Sequence, residues 1–108
     1  MITFIAHVRV KQANSAAFEE MMSYVAAKTH EHEPGVLYYE YSRSVADPEL
    51  YLVVEVYADP TAHAAHMASP WVTESLPRSA RLMEGRPDIR QYVSPGSEPV
   101  RTRSVFDR

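Results

Sequence analysis

The chain has 108 residues, 45% hydrophobic and 23% charged, with a formal net charge of −3 and no cysteine. That length allows one domain, burying roughly two-thirds of the surface its unfolded chain exposes. The composition excludes disulfides, thiolate nucleophiles and Cys-ligated zinc or iron–sulfur sites, and the mildly acidic charge lacks the basic footprint that nucleic-acid binding needs.

Met1 to Lys11 alternates, with Ile2, Phe4, Ala6, Val8 and Val10 on one face and Thr3, Ile5, His7 and Arg9 on the other. A period of two marks a strand. Asn14 or Ser15 is placed to cap a following helix, in which Phe18, Met21, Met22, Val25, Ala26 and Thr29 recur at helical spacing. Glu19 and Glu20 sit in its first turns, where the helix dipole favours negative charge. Pro34-Gly35 ends it, because Pro cannot continue a helix and Gly tolerates the turn. Val36 to Ser44, loaded with Tyr38, Tyr39 and Tyr41, and Leu50 to Tyr57 are joined by Ala46-Asp47-Pro48-Glu49 and read as an antiparallel hairpin. Asp59-Pro60 opens a short helix over 61–67. Ser69-Pro70 repeats the signal for a second helix from Trp71, disturbed at Pro77 and finished by Gly85. Arg86 to Val93 alternates as a last strand. The domain therefore spans 1–95, and Pro95, Gly96, Ser97 and Pro99 mark the change to a solvated C-terminal tail over 96–108.

This order predicts an α+β, ferredoxin-like βαββαβ fold: a four-stranded antiparallel sheet with helices on one face. The third strand is apolar on both parities, Leu52, Val54 and Val56 against Tyr51, Val53 and Tyr57, so its second face also needs cover. In so small a protein a second copy related by two-fold symmetry is the simplest cover. No apolar run approaches the ~20 residues of a membrane span, and no signal-peptide pattern precedes the first strand; a cytoplasmic protein is the expectation.

Chemistry rests on His, Glu and Tyr, since no Gly-rich phosphate loop, nucleophile elbow or Ser/His/Asp pattern is present. Glu55 lies between Val54 and Val56, where a buried carboxylate must be paired, hydrogen-bonded or protonated. It reads either as a functional group, as half of an ion pair with Arg43 or Arg90, or as a solvated edge residue. His63 and His66 share one face of the short helix. As metal ligands they lack a fourth partner; His66 reads better as a general acid or base, and His63, early in the helix, also reads as a polar surface histidine. His30 and His32, with Glu31 and Glu33, read as a solvated helix end, and His7 as a surface or interface residue. Trp71 and the tyrosines are suited either to walling a pocket for a planar ring or to plain core packing.

One stretch is more specific. Glu33-Pro34-Gly35-Val36-Leu37-Tyr38-Tyr39 is followed by Tyr51-Leu52-Val53-Val54-Glu55-Val56-Tyr57-Ala58-Asp59, then Ala62-His63-Ala64-Ala65-His66 and Ser69-Pro70. This resembles the antibiotic biosynthesis monooxygenase (ABM) domain family, with its E-x-G turn into the second strand, its E-x-(Y/W) end to the third, and a helical histidine shortly before a small-Pro helix start. The resemblance covers about residues 1 to 95. It implies a dimeric α/β barrel of two ferredoxin-like sheets packed face to face, with a ligand cavity in each protomer. It also implies cofactor-free chemistry, needing neither flavin nor metal, in which a phenol, anthrone or quinol is deprotonated and its electron-rich anion reduces O₂. Departures accompany it. Polyketide-modifying members carry an Asn and a Trp where Val53 and Tyr57 stand here, and a helical Tyr similar in place to His63. Haem-degrading relatives use an Asn where this chain has Val8. Relatives with the same helical His and E-x-Y pattern include a quinol monooxygenase and an isomerase of a phosphorylated sugar.

The combined expectation is a homodimeric, cofactor-independent monooxygenase that takes O₂ and a small phenolic or quinol-type substrate. His66 accepts the substrate proton, Glu55 orients or charges it, and Tyr39, Tyr51, Tyr57, His63 and Trp71 form the pocket, with no metal. Two alternatives stay open: an acid/base isomerase of a small metabolite, and a non-catalytic ligand-binding or stress-response barrel.

Overall fold

A computed structural model describes residues 1–101 of the chain. The alternating first segment is β1 (Ile2–Arg9), and a 3-10 turn at Gln12–Asn14 leads into α1 (Ser15–His32). The hairpin is β2 (Val36–Arg43) and β3 (Leu50–Tyr57), followed by α2 (Pro60–Ala68), α3 (Pro70–Leu82) and β4 (Asp88–Val93). The strands pair antiparallel throughout in the order β2-β3-β1-β4. That is the ferredoxin-like α+β arrangement expected from the order of elements.

Pattern and burial agree. Ile2, Phe4, Ala6 and Val8 of β1 are buried against Phe18, Met21, Met22 and Val25 of α1, whereas His7 and Arg9 on the opposite face are exposed. An irregularity in β2 between Val36 and Tyr38 shifts its register against β3. Val36 and Tyr39 are both buried as a result, while Tyr38 is exposed. One cross-sheet row on the helix side therefore reads Tyr39–Glu55–Phe4–Gln91, and the next Tyr41–Val53–Ala6–Ile89. The bare face carries Tyr38–Val56–Thr3–Tyr92 and Glu40–Val54–Ile5–Arg90.

Several local signals act differently from the sequence reading. Neither Asn14 nor Ser15 caps α1 with its side chain; the Ser15 hydroxyl instead donates back to the Gln12 carbonyl at 2.8 Å. Asp59 does cap α2, its Oδ1 accepting the Ala62 N–H at 2.8 Å. Pro77 does not interrupt α3, which runs on to Leu82. Pro77 lies on the exposed side; its ring removes the hydrogen bond to Thr73 and crowds that carbonyl, but Val72 and Leu76 hold the opposite side against the core. The start of the tail is not simply solvated. Val100 packs against the core, and its backbone N–H and C=O pair with the Gln91 side-chain amide at 2.9 Å each. Residues 102–108, with Arg103 and Arg108, lie outside the described residues. Among the described residues no helix is long and apolar enough to cross a membrane.

Gly35 meets a steric demand. A Cβ built there would lie 2.8 Å from the Ala62 Cβ on α2, and the Gly35 carbonyl accepts the Ala58 N–H at 2.9 Å. The turn into β2 and the first turns of α2 thus approach too closely for any side chain. Gly35→Ala is expected to overpack this contact and destabilise the fold by about 1–3 kcal/mol. Thermal unfolding followed by circular dichroism checks it; an unchanged midpoint would mean that α2 is free to move away.

Candidate active site

Between the sheet and the helices α2 and α3 lies a cavity of about 270 Å³. Its floor includes the row Tyr39, Glu55, Phe4 and Gln91; His63, His66 and Met67 of α2 and Val72, Leu76 and Ser79 of α3 close it from above. The surface is mainly apolar and aromatic, with its ionisable groups gathered at the α2 end. Among the described residues no Lys or Arg lines it.

His66 stands in the last turn of α2 and is 2% exposed. The Ser69 hydroxyl caps that turn, donating to the His66 carbonyl at 2.6 Å. The imidazole Nδ1 lies 3.1 and 3.2 Å from the two carboxylate oxygens of Glu33, and the Trp71 indole N–H donates to Glu33 Oε2 at 2.8 Å. Glu33 is the C-cap of α1, its own N–H bound to the Thr29 carbonyl at 2.9 Å. Three helix ends thus meet on one carboxylate. The His66 ring also packs against Tyr39 and Tyr57, with ring centroids 5.0 and 5.5 Å away.

Glu55 and Tyr57 are two apart on β3 and share its helix-side face, and the Tyr57 hydroxyl donates to Glu55 Oε1. The part of Glu55 that stays accessible faces the cavity. Burial pushes its carboxyl up from the ordinary range, while the Tyr57 hydrogen bond and the nearby His66 pull it down. Burial, then Glu55, also hold the phenols of Tyr39 and Tyr57 well above the usual value, so both remain neutral donors. His63 lies flat on Phe4 at 5.1 Å and meets the edge of Tyr57 at 5.0 Å. Burial, then His66, lower its basicity.

The structure therefore gathers His66, Glu55, Tyr39 and His63 on the cavity, with the fully buried Tyr57 directly behind Glu55. It does not gather Tyr51 or Trp71 there. Tyr51 stands four residues from Glu55, roughly 13 Å along an extended strand; its ring packs on Phe18 and its hydroxyl donates to Glu19. Trp71 turns its N–H to Glu33 and stacks on His32 at 5.2 Å instead of walling the cavity. The carboxylate on His66 is Glu33, not Glu55, because α2 brings Nδ1 to the end of α1 while Tyr57 engages Glu55. Arg43 pairs with Glu19 at 3.5 Å and Arg90 with Asp88 at 3.4 Å, so neither is the partner of Glu55.

Glu33 is the residue the sequence reading placed wrongly, as part of a solvated helix end. His30 fits that description, half exposed and paired with Glu40 at 3.2 Å, but the Glu33 side chain is 10% exposed. Its partners stand 33 and 38 residues away, beyond the reach of local periodicity. The signal that could have found it is its place opening the E-x-G turn. Among the described residues no three His, Cys, Asp or Glu side chains are grouped to hold a metal ion.

Comparison with known proteins agrees with this architecture. A sequence model of the family described as antibiotic biosynthesis monooxygenase matches residues 1–75. A proposed antibiotic biosynthesis monooxygenase from Caulobacter crescentus superposes with a TM-score of 0.80 at 31% identity, over 84% of this chain and 86% of that one. Proteins described likewise from Nitrosomonas europaea (TM-score 0.81, 22% identity, 88% and 99% covered) and Deinococcus radiodurans (0.78, 20%, 94% and 100%) share the fold. No curated protein matches the chain. By the family match over residues 1–75 and the 31% identity to the Caulobacter protein, the chain belongs to the antibiotic biosynthesis monooxygenase family.

Proposed function

We propose that the protein is a homodimeric, cofactor-independent monooxygenase that oxidises a small phenolic or quinol-type aromatic to a quinone. The observation carrying this reading is one aromatic-walled cavity onto which a histidine and a burial-perturbed carboxyl both open, His66 and Glu55. A volume near 270 Å³ suits one or two fused rings, and Phe4, Tyr39 and His63 are among the residues that line it.

For a phenol with a free para position, the reaction is phenol plus O₂ to quinone plus water. His66 takes the phenolic proton. The anion places electron density on the para carbon, which passes an electron to O₂ and then bonds to it, and the peroxide formed is protonated. Loss of the para C–H proton as the O–O bond breaks leaves the second C=O and releases hydroxide, which leaves as water. The sequence needs two proton acceptances and two deliveries. His66 serves one pair and Glu55, with Tyr57 behind it, the other.

The isomerase reading on a small polar metabolite is less well supported, since the Arg-rich lining that would favour it is missing: the lining residues described include neither Arg nor Lys. The open cavity counts against a barrel that binds nothing; a non-catalytic ligand-binding barrel would fill the same cavity, and oxygen uptake separates it from the oxygenase. The homodimer is supported by the bare sheet face, where Ile5, Leu52, Val54 and Val56 are only partly covered and Tyr38 and Tyr92 are 49% and 54% exposed.

Oxygen uptake by metal-stripped protein over hydroquinones, anthrones and catechols tests the chemistry. Uptake above autoxidation is expected, falling at least about a hundredfold in His66→Ala; uptake unchanged in that variant would remove His66 as the base. For assembly, light scattering is expected to give twice the chain mass, and Val54→Asp to give a folded monomer by placing a charge in the covered face. A monomeric wild type would contradict the dimer.

A further inference from the structure

We infer that Glu33 is a positioning residue that holds His66 in the Nδ1–H tautomer, so that Nε2 is the unprotonated nitrogen presented to the substrate, and that Trp71 is the anchor that keeps Glu33 in place. The inference rests on the reading of His66 as the proton acceptor and adds to it the groups that prepare that role.

A neutral imidazole carries one proton, and the hydrogen bond made by one nitrogen decides which nitrogen has it. Nδ1 of His66 faces both oxygens of Glu33, at 3.1 and 3.2 Å. An ionised carboxylate is an acceptor only, so Nδ1 must be the donor. The proton is then fixed on the side away from the cavity, and Nε2 keeps its lone pair. When that lone pair takes a proton, the adjacent carboxylate stabilises the cation formed. Glu55 and Tyr57 from β3, Tyr39 from β2 and His63 from α2 also face or neighbour this ring. Glu33 is the group among these that contacts a ring nitrogen directly.

Glu33 is itself restrained. Its side chain is 10% exposed and Oε2 accepts the Trp71 indole N–H at 2.8 Å. Gly35, two residues on, lies against Ala62 with no room for a Cβ, which fixes the approach of α2 to the end of α1. Trp71 therefore acts through Glu33, and its ring is stacked on His32 on the outer side.

This arrangement makes an unusual prediction about Glu33→Gln. Glutamine keeps one acceptor oxygen, which the Trp71 N–H holds at the Oε2 position, and puts its NH₂ in the Oε1 position, 3.2 Å from Nδ1. The amide NH₂ then faces Nδ1, donates to it and drives the ring proton to Nε2, where it blocks the base. Removing the competing donor as well, in Glu33→Gln/Trp71→Phe, frees the amide to turn its oxygen to Nδ1–H and restore the tautomer. ¹⁵N NMR of the imidazole, at a pH where the ring is neutral, reads this directly. The expected results are Nδ1–H in the native protein, Nε2–H in Glu33→Gln, and recovery of Nδ1–H in the double variant. Oxygen uptake is expected to fall on the order of a hundredfold in Glu33→Gln and to recover in part in the double variant, a pattern that simple loss of packing would not produce. Native protein with an Nε2–H ring overturns the inference without any variant. So does Glu33→Gln that keeps both the Nδ1–H tautomer and the native rate. The spectra need no turnover, so a protein inactive on every phenol would sink the proposed reaction while the tautomer still tests Glu33.

Discussion

A carboxylate withdrawn from water is tolerated where donors replace the water it has lost, and Glu33 has them from two directions. Trp71 donates at 2.8 Å from the first turn of α3, and His66 meets it from the last turn of α2. Glu33 itself ends α1. One buried side chain thus ties together the ends of three helices, and the histidine among them is the one that opens onto the cavity. The other constraints serve this junction. Asp59 and Pro60 set where α2 begins, Ser69 and Pro70 set where it stops and α3 starts, and the bare backbone of Gly35 lets α2 come close enough for Nδ1 to reach the carboxylate.

The sheet supplies the other half of the site. A small protein would gain stability by filling the space beneath α2 and α3 with Leu or Ile. Instead, the row across the sheet at that level reads Tyr39–Glu55–Phe4–Gln91. Glu55 is held by Tyr57, and burial raises its carboxyl above the ordinary range, as the proposed proton transfer requires. Gln91 at the far end of the row is taken up by Val100, so the chain beyond β4 is fastened beside the cavity by a residue that also lines it.

Most of the fold was legible because it rests on local rules. The alternation in β1 and β3, the Asp-Pro and Ser-Pro helix starts and the Pro-Gly stop each follow from backbone chemistry within a few residues. Pro77 was misread because its exposed position let the packing of Val72 and Leu76 carry the helix past it. The site was legible in part. His66 and Glu55 stood out as polar residues in apolar runs, and the ABM resemblance pointed to the same two. Tyr51 and Trp71 were given to the pocket because an aromatic side chain looks alike in sequence whether it walls a cavity or fills a core. Glu33 was read as solvated because it sits among exposed Glu31 and His32, and its burial depends on α2 and α3 folding back over it.

On the proposed reaction, this cavity lowers the cost of ionising a phenol at His66. Anaerobic binding of a phenol with a distinct phenolate absorption tests it most directly, because without oxygen the complex is held before any oxidation. A phenolate spectrum is expected on binding at a pH well below the ligand's own ionisation, and its loss in His66→Ala. A phenol that binds in the cavity yet stays neutral across that pH range would contradict it.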